Sequence, residues 1–257
     1  MKAVILSAGK SKRLSSLTAS VPKPMLKIAG KPILEHNILM CKKAGVDEIF
    51  INLHYLAEKI TDYFGDGSKY DLKIIYNYEP RLLGTAGGLL YFLKWLQHEP
   101  YYVIYGDNYS NIELRDLKVY HDSVDSDFTI ALHWVKDIQN SGFVELDKEG
   151  KVNKFIEKPK IDNIKGGWVN SGLYIINPGL INDMIKNRDF WMPFAPCIIH
   201  EAWDELLINP KKLFSPYMTI AFESTKQGAE MLDAASHPAD QTLRPQMVTS
   251  KMNPQYH

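Results

Sequence analysis

Several things are scarce in this sequence, and each scarcity removes a class of function. Its 257 residues contain two cysteines, Cys41 and Cys197. They stand far apart and outside any CxxC or Cys/His spacing, which argues against a disulfide framework or a structural zinc site. None of the eight histidines falls in an HxxH or HExxH pattern, so transition-metal catalysis is not indicated. No apolar run approaches the roughly 20 residues of a membrane span. The four apolar residues Ala3 to Leu6 are too few for a signal-peptide core, and the expected setting is reducing and cytoplasmic. Net charge is missing as well, because 30 Lys+Arg balance 30 Asp+Glu. With 45% hydrophobic and 23% charged residues, the composition is that of a globular chain, and it lacks the basic excess of a nucleic-acid track. The aromatic residues follow no basic/aromatic repeat of the kind that stacks single strands.

One further absence is local. Residues 1–34 hold no acidic residue, while seven of the 30 basic residues lie there: Lys2, Lys10, Lys12, Arg13, Lys23, Lys27 and Lys31. The other 23 basic residues face all 30 acidic ones, so the rest of the chain carries a net −7. A local positive field on a neutral protein suits a small polyanion. Lysines on a solvated face would give the same count.

Residues 2–7 read as a buried strand, followed by a Gly/Ser/Lys/Thr loop to Ser20. A helix is expected over 31–45, opened by Pro32 and ended by Gly45. Strands follow at 48–53, 72–77 and 101–105, with helices over 55–64 and 85–97. Strands alternating with helices over the first hundred residues indicate parallel βαβ units. The second half is richer in strands: 127–135, then 143–146 and 152–156 around the hairpin-like turn Asp147-Lys-Glu-Gly150, then 168–176. Helices are expected near 179–187 and 197–207, a strand near 213–222 and a helix near 225–235. Residues 236–257 are polar and aperiodic and read as a tail, leaving 1–235 as one domain. Residues 188–215, with Phe190, Trp191, Phe194 and Trp203, suit core packing or a subunit interface, which leaves a homo-oligomer open.

The segment Leu6-Ser-Ala-Gly-Lys-Ser-Lys-Arg13 is a loop of small residues after the first strand, which lets backbone N–H groups approach an anion. It matches neither GxxxxGK[ST] nor GxGxxG. Lys23 stands between Pro22 and Pro24, which should hold it in an extended segment with its ammonium projecting. Taken in order, Ala8-Gly-Lys-Ser-Lys-Arg13, Pro22-Lys-Pro-Met-Leu26, Gly30-Lys-Pro-Ile33, Leu83-Gly-Thr-Ala-Gly-Gly88, Tyr105-Gly-Asp-Asn108, Phe155-Ile-Glu-Lys-Pro159 and Val169-Asn-Ser-Gly-Leu-Tyr174 resemble the signatures of the sugar-1-phosphate nucleotidylyltransferases. The resemblance covers residues 1–180 well and the remainder poorly. It implies a Rossmann-like three-layer α/β fold, a mostly parallel sheet and a small β-rich sugar-binding insertion. It also implies the Mg²⁺-dependent reaction of a nucleoside triphosphate with a sugar 1-phosphate, giving NDP-sugar and pyrophosphate.

By that resemblance the nucleotide meets Leu6, Ala8, Gly9, Lys10, Ser11 and Lys12. Arg13 grips the departing pyrophosphate, where a guanidinium offers a fork to phosphate oxygens. Lys23 lies near the α-phosphate, and Asp107 holds Mg²⁺ at a strand end, although Asp-Asn after Gly is also ordinary turn chemistry. Gly84, Thr85 and Gly87 lie against the nucleobase, with Thr85 a candidate helix cap, and Glu79 adds to base reading. Glu157 and Lys158 meet the sugar hydroxyls and the sugar phosphate, while Asn170 and Gly172 line the sugar strand. Lys158 counts with Arg13, Lys23 and Asp107 as catalytic.

Two departures from the family pattern stand out. Ser11 and Lys12 replace the usual Gly and Thr/Ser before the arginine. No aspartate stands where the family places its second metal ligand; in Ile220-Ala-Phe-Glu-Ser-Thr225 the nearby carboxylate is Glu223. The Leu-Gly-Thr-Ala-Gly-Gly run is most like members that use GTP with mannose- or heptose-type 1-phosphates. The rival readings are a cytidylyltransferase acting on a non-sugar phosphate and a non-catalytic homologue that binds nucleotide-sugar.

Overall fold

The computed structural model describes residues 1–9, 20–139, 141–159, 166–180 and 221–224. Its centre is a sheet begun by β1 (Lys2–Leu6), β4 (Glu48–Leu53), β5 (Lys73–Tyr78) and β6 (Tyr101–Tyr105). β1 lies between β4 and β6 and is parallel to both, and β5 extends the sheet beyond β4. Ala3, Val4 and Ile5 are fully buried, as expected of a parallel strand covered on both faces. The run of apolar residues in β1 and β4 therefore reflects two covering layers rather than one.

The helices are α1 (Ile33–Lys43), α2 (Ala57–Phe64), α3 (Gly84–Phe92) and α4 (Leu114–Ser123). Ala3 and Ile5 pack on one side with Leu34 and Ile38 of α1, Ile60 and Phe64 of α2 and Leu117 of α4. Val4 and Phe50 pack on the other side with Leu89 and Phe92 of α3. α3 opens on Gly-Thr-Ala-Gly-Gly, a poor helix-forming run, so its stability comes from packing. Full burial of Leu89 and Phe92 contributes roughly 1.5–3 kcal/mol each. The helix expected over 85–97 ends at Phe92 and passes into a 3₁₀ turn at Leu93–Trp95. α4 was not foreseen from the sequence.

The second half adds antiparallel strands. β10 (Gly167–Ile176) runs against β6 on one edge and β7 (Phe128–Val135) on the other. The hairpin of β8 (Gly142–Leu146) and β9 (Val152–Glu157) joins β10 on the same edge as β6. β6 and β8 thus lie end to end along β10, because Trp168 and Val169 pair with β8 while Leu173–Ile176 pair with β6. The gap between them falls at residues 170–172, where the β10–β7 register also shifts. β11 (Ala221–Ser224) lies parallel to β7 at the far edge; it overlaps the strand expected near 213–222 at residues 221 and 222, and the rest of that expectation lies outside the described residues. The expected helices near 179–187, 197–207 and 225–235 and the tail over 236–257 fall outside the described residues, apart from Gly179 and Leu180. A short separate hairpin joins β2 (Lys27–Ile28) and β3 (Lys31–Pro32) ahead of α1.

Candidate active site

The C-terminal ends of β1, β4, β5 and β6 open at one edge of the sheet, where ligands bind in open α/β folds. Two side chains, Asn52 of β4 and Glu79 just after β5, tie three of these ends together. The Ser7 amide, just after β1, donates to Asn52 Oδ1 at 2.7 Å. Asn52 Nδ2 in turn donates to Glu79 Oε1 at 2.8 Å, and Glu79 Oε2 accepts the Leu83 N–H at 3.0 Å. Glu79 is buried, and these two bonds engage both of its oxygens. Through Asn52 it links Ser7, just after β1, to the start of α3. Thr85, the expected cap, is the second residue of α3 instead; the N-cap position is Leu83, which has no side-chain cap. Glu79 satisfies the Leu83 amide from outside the helix. Gly84 and Thr85 are half-buried and Gly87 is buried beside them.

Leu6 is half-buried, Ala8 is buried and Gly9 is exposed. Lys10, Ser11, Lys12 and Arg13 lie outside the described residues. Lys23 is not in an extended segment as expected. It opens a 3₁₀ turn over Lys23–Met25, closed by Met25 N–H to Pro22 O at 2.8 Å. Pro22 supplies the fixed φ that leads into the turn. From there the Lys23 ammonium reaches Asp107 Oδ2 at 2.7 Å, across 84 residues of sequence. The two side chains are 31% and 35% exposed, so the pair faces solvent and can be reached by a ligand.

Asp107 follows β6 in a turn with close backbone packing. Gly106 has no room for a side chain: a Cβ there would stand 2.2 Å from Ser7 Oγ. Asn108 Nδ2 donates to Ser171 O at 3.1 Å, which fastens this turn to the gap in β10. Within the gap, Asn170 Oδ1 accepts the Gly172 N–H at 2.8 Å. Gly172 has φ +70, and its position leaves no space for a Cβ beside Asn108 and Tyr105; glycine meets both demands. Ser171 Oγ lies 2.9 Å from His133 Nδ1, and burial holds the His133 pKa below the ordinary histidine value.

Across the gap stands the β8–β9 hairpin. Glu157 pairs in register with Gly142 at its edge, and Lys158 Nζ approaches Glu157 Oε1 at 3.5 Å. Lys158 has φ +45, a left-handed conformation that is uncommon for a side-chain-bearing residue and clusters at functional positions. The fold therefore places Asp107 and Lys23 on one side of the gap, Glu157 and Lys158 on the other, and Asn170–Gly172 along its floor. Glu223 lies in β11, paired in register with Leu132 of β7, on the other edge of β10 from this gap.

Among the described residues no group of three His, Cys, Asp or Glu side chains could hold a metal ion. Asp107 is a lone hard oxygen donor at a strand end. That set suits Mg²⁺, which takes one or two carboxylates and fills its other positions with phosphate oxygens and water. It does not suit a caged transition metal. No helix among the described residues is long and apolar enough to cross a membrane.

Sequence reasoning missed Asn37, Asn52 and His133, and took Ser7 only as one of the small residues of the loop after β1. The first three belong to no short motif, and their partners are distant in sequence.

The family model described as "Nucleotidyl transferase" matches residues 2–205. A second model, "Carbamoyltransferase C-terminus", matches residues 177–257. The chain is 35% identical over 193 residues to mannose-1-phosphate guanylyltransferase 1 of Arabidopsis thaliana, covering 73% of this chain and 53% of that one. It is 34% identical over 190 residues to the D-glycero-alpha-D-manno-heptose 1-phosphate guanylyltransferase of Campylobacter jejuni, covering 74% and 82%. The crystal structure of HddC from Yersinia pseudotuberculosis superposes with a TM-score of 0.60 at 33% identity, over 71% of this chain and 79% of that one. Curated relatives bear both uridylyltransferase and guanylyltransferase names, and the chain spans about half the length of several of them. With the family model matched across most of its length and these relatives alongside, the chain belongs to the sugar-1-phosphate nucleotidylyltransferase family.

Proposed function

We propose that the protein forms an NDP-sugar and pyrophosphate from a nucleoside triphosphate and a sugar 1-phosphate. The observation that carries this reading is the Lys23–Asp107 pair at 2.7 Å, set at the end of β6, with the β8–β9 hairpin that ends in Glu157 next along the same edge of β10. The reaction is a displacement at the α-phosphorus, in which the sugar phosphate oxygen attacks and pyrophosphate leaves. Positioning and charge neutralisation do most of the catalytic work in such transfers.

In this reading the loop from Leu6 through Ala8, Gly9, Lys10, Ser11 and Lys12 cradles the triphosphate, and Arg13 takes the pyrophosphate. Lys23 stabilises charge at the α-phosphate. Asp107 would hold Mg²⁺ together with phosphate oxygens and water, and the ion would supply further charge neutralisation there. Glu79 acts on the base through the loop it anchors, with Gly84, Thr85 and Gly87 beside the base. Glu157 accepts sugar hydroxyls, Lys158 meets the sugar phosphate, and Asn170 and Gly172 line the sugar. Glu223 is the weaker candidate for a second metal ligand.

The favoured pair is GTP with a mannose- or heptose-type 1-phosphate, supported by the names of the Arabidopsis and Campylobacter relatives. The test is pyrophosphate release with Mg²⁺, each of GTP, UTP, CTP and dTTP, and a panel of sugar 1-phosphates. Release is expected with GTP and to be lost with EDTA. Silence with every pair defeats the enzyme reading and favours a homologue that only binds nucleotide-sugar.

The carbamoyltransferase match supports a second reading of the C-terminal part. The domain reading takes residues 1–235 as one unit and 236–257 as a tail. The match favours instead a unit boundary inside 177–205, where the two family models overlap, whereas the pairing of β11 at 221–224 with β7 supports the longer unit. Limited proteolysis of the full chain, with mass analysis of the fragments, separates them: a first cut near 235 supports the tail, and a first cut within 177–205 supports a second unit.

A further inference from the structure

We infer that His36 and Asn37, neighbours on the first turns of α1, are positioning residues that set the distance between Lys23 and Asp107. The two charges come from segments 84 residues apart, and both segments are pinned to this helix. Asn37 is buried, and its Nδ2 points at three backbone carbonyls of the turn that carries Asp107. These are Tyr105 O at 3.5 Å, Gly106 O at 3.4 Å and Asn108 O at 3.1 Å. His36 Nε2 lies 2.8 Å from Ile28 O, in the hairpin that follows the Lys23 turn. The Ile33 amide at the start of α1 donates to Leu26 O at 2.9 Å, which fixes the end of that turn. The His36 ring also meets Tyr109 edge-on, with centroids 5.1 Å apart, so it touches both segments.

A bracket of this kind has a function beyond stability. A buried amide donor shared among three carbonyls fixes the turn's height over the sheet, and the Asp107 backbone lies within that span. A shift of about 1 Å at Asp107 would change the site without unfolding the core, and misplacements of that size cost on the order of 100-fold in rate. A bond to one carbonyl would leave the turn free to rotate about it.

This inference rests on the transferase reading. Its test is a double-mutant cycle in steady-state kinetics, using the best nucleotide and sugar 1-phosphate pair. The variants are Asn37→Leu, Lys23→Met and the double variant, with melting temperature recorded for each. Asn37→Leu is expected to lower kcat by roughly 10- to 100-fold while KM for both substrates stays within about threefold. Lys23→Met should then cost less in the Asn37→Leu background than in the native one, because the two residues act on one contact. His36→Gln, an independent probe if Asn37→Leu melts below the assay temperature, should lower kcat with an unchanged melting temperature. Unchanged kcat in both helix variants, or losses that simply multiply in the cycle, overturns the bracket. Inactivity of the unaltered protein with every substrate pair overturns the transferase reading instead.

Discussion

Substituting Gly106 tests how the two strand ends that frame the site are packed. Gly106 N–H is bonded to Leu6 O at 2.9 Å, so its backbone cannot retreat from β1. An alanine Cβ there would stand 2.2 Å from Ser7 Oγ and 3.1 Å from both Ile5 Cγ2 and Leu6 O. The first distance is about 1.3 Å inside a normal contact of ~3.5 Å. Overpacking of this kind costs typically 1–3 kcal/mol. At roughly 2–4 °C per kcal/mol for a chain of this size, the melting temperature should fall by about 2–12 °C. The displaced residue adjoins Asp107, so kcat for pyrophosphate release should fall by on the order of 100-fold. Ser7 Oγ is buried and has no hydrogen-bond partner among the described residues, which makes its removal cheap. Ser7→Ala alone should leave stability unchanged or higher, since an unpaired buried hydroxyl carries a desolvation penalty. In the double variant the 2.2 Å clash disappears and two 3.1 Å contacts remain, so stability should recover in part. Differential scanning fluorimetry on the four proteins gives the coupling directly. A Gly106→Ala protein with native melting temperature and native kcat would refute the packing account. So would a double variant no more stable than Gly106→Ala.

Three further outcomes are expected. Lys23→Met should lower kcat by about 10²- to 10³-fold, the usual loss of one transition-state charge donor, with the far-UV circular dichroism spectrum unchanged; a loss under threefold would remove Lys23 from the reaction. Glu79→Ala leaves the Asn52 amide and the Leu83 N–H without their acceptor, and should destabilise the fold by roughly 2–4 kcal/mol in urea titration, whereas Glu79→Gln keeps one acceptor and should cost less. Stability should also fall with acid through His121 and His133. Burial is the main cause that depresses both below their ordinary value of 6.5, against a raising bond from Asn177 to His121. Below that value the unfolded chain takes up protons that the folded chain resists, so stability is fully present above pH 6.5 and is lost as pH falls toward the depressed folded values. Urea midpoints at pH 7.5 and 5.5 test this, and replacing His133 with Gln should shrink the difference; an unchanged difference would show that His133 is not responsible.

The strands were the most legible part of the fold. Glu48–Leu53 and Tyr101–Tyr105 match their expected limits, because a strand buried on both faces is a short apolar run between polar turns. α4 escaped notice because Leu114, Leu117, Tyr120 and His121 are its buried residues, and a stripe interrupted by a histidine reads weakly as amphipathic. That histidine is buried because Thr129 Oγ1 and Asn177 Oδ1 lie 2.7 and 2.9 Å from its ring nitrogens. Thr129 lies eight residues on, in the next strand, and Asn177 lies 56 residues on, so neither falls within the helix pattern. Thr85 misled for the opposite reason: a local cap pattern was present, and Glu79, reaching in from the end of β5, satisfied the helix start in its place.

The same contrast explains which site residues could be read. Lys23, Asp107, Glu157 and Lys158 sit in short runs with prolines and glycines, because Lys23, Asp107 and Lys158 occupy backbone turns and Glu157 ends the strand beside one, and such turns leave a mark on their neighbours. Asn37 leaves no such mark. It is one polar residue on a helix whose neighbours Ile33, Leu34, Ile38 and Cys41 are all buried, and on sequence alone it would count as an interruption of that face. Its three carbonyl partners begin 68 residues later. A buried amide in an apolar stripe carries a desolvation cost unless it is paired, so its presence already signals that a backbone segment must arrive to receive it. That segment is the one ending in Asp107. Asn37, on the buried face of α1, thus points to the turn that carries Asp107, although no motif names it.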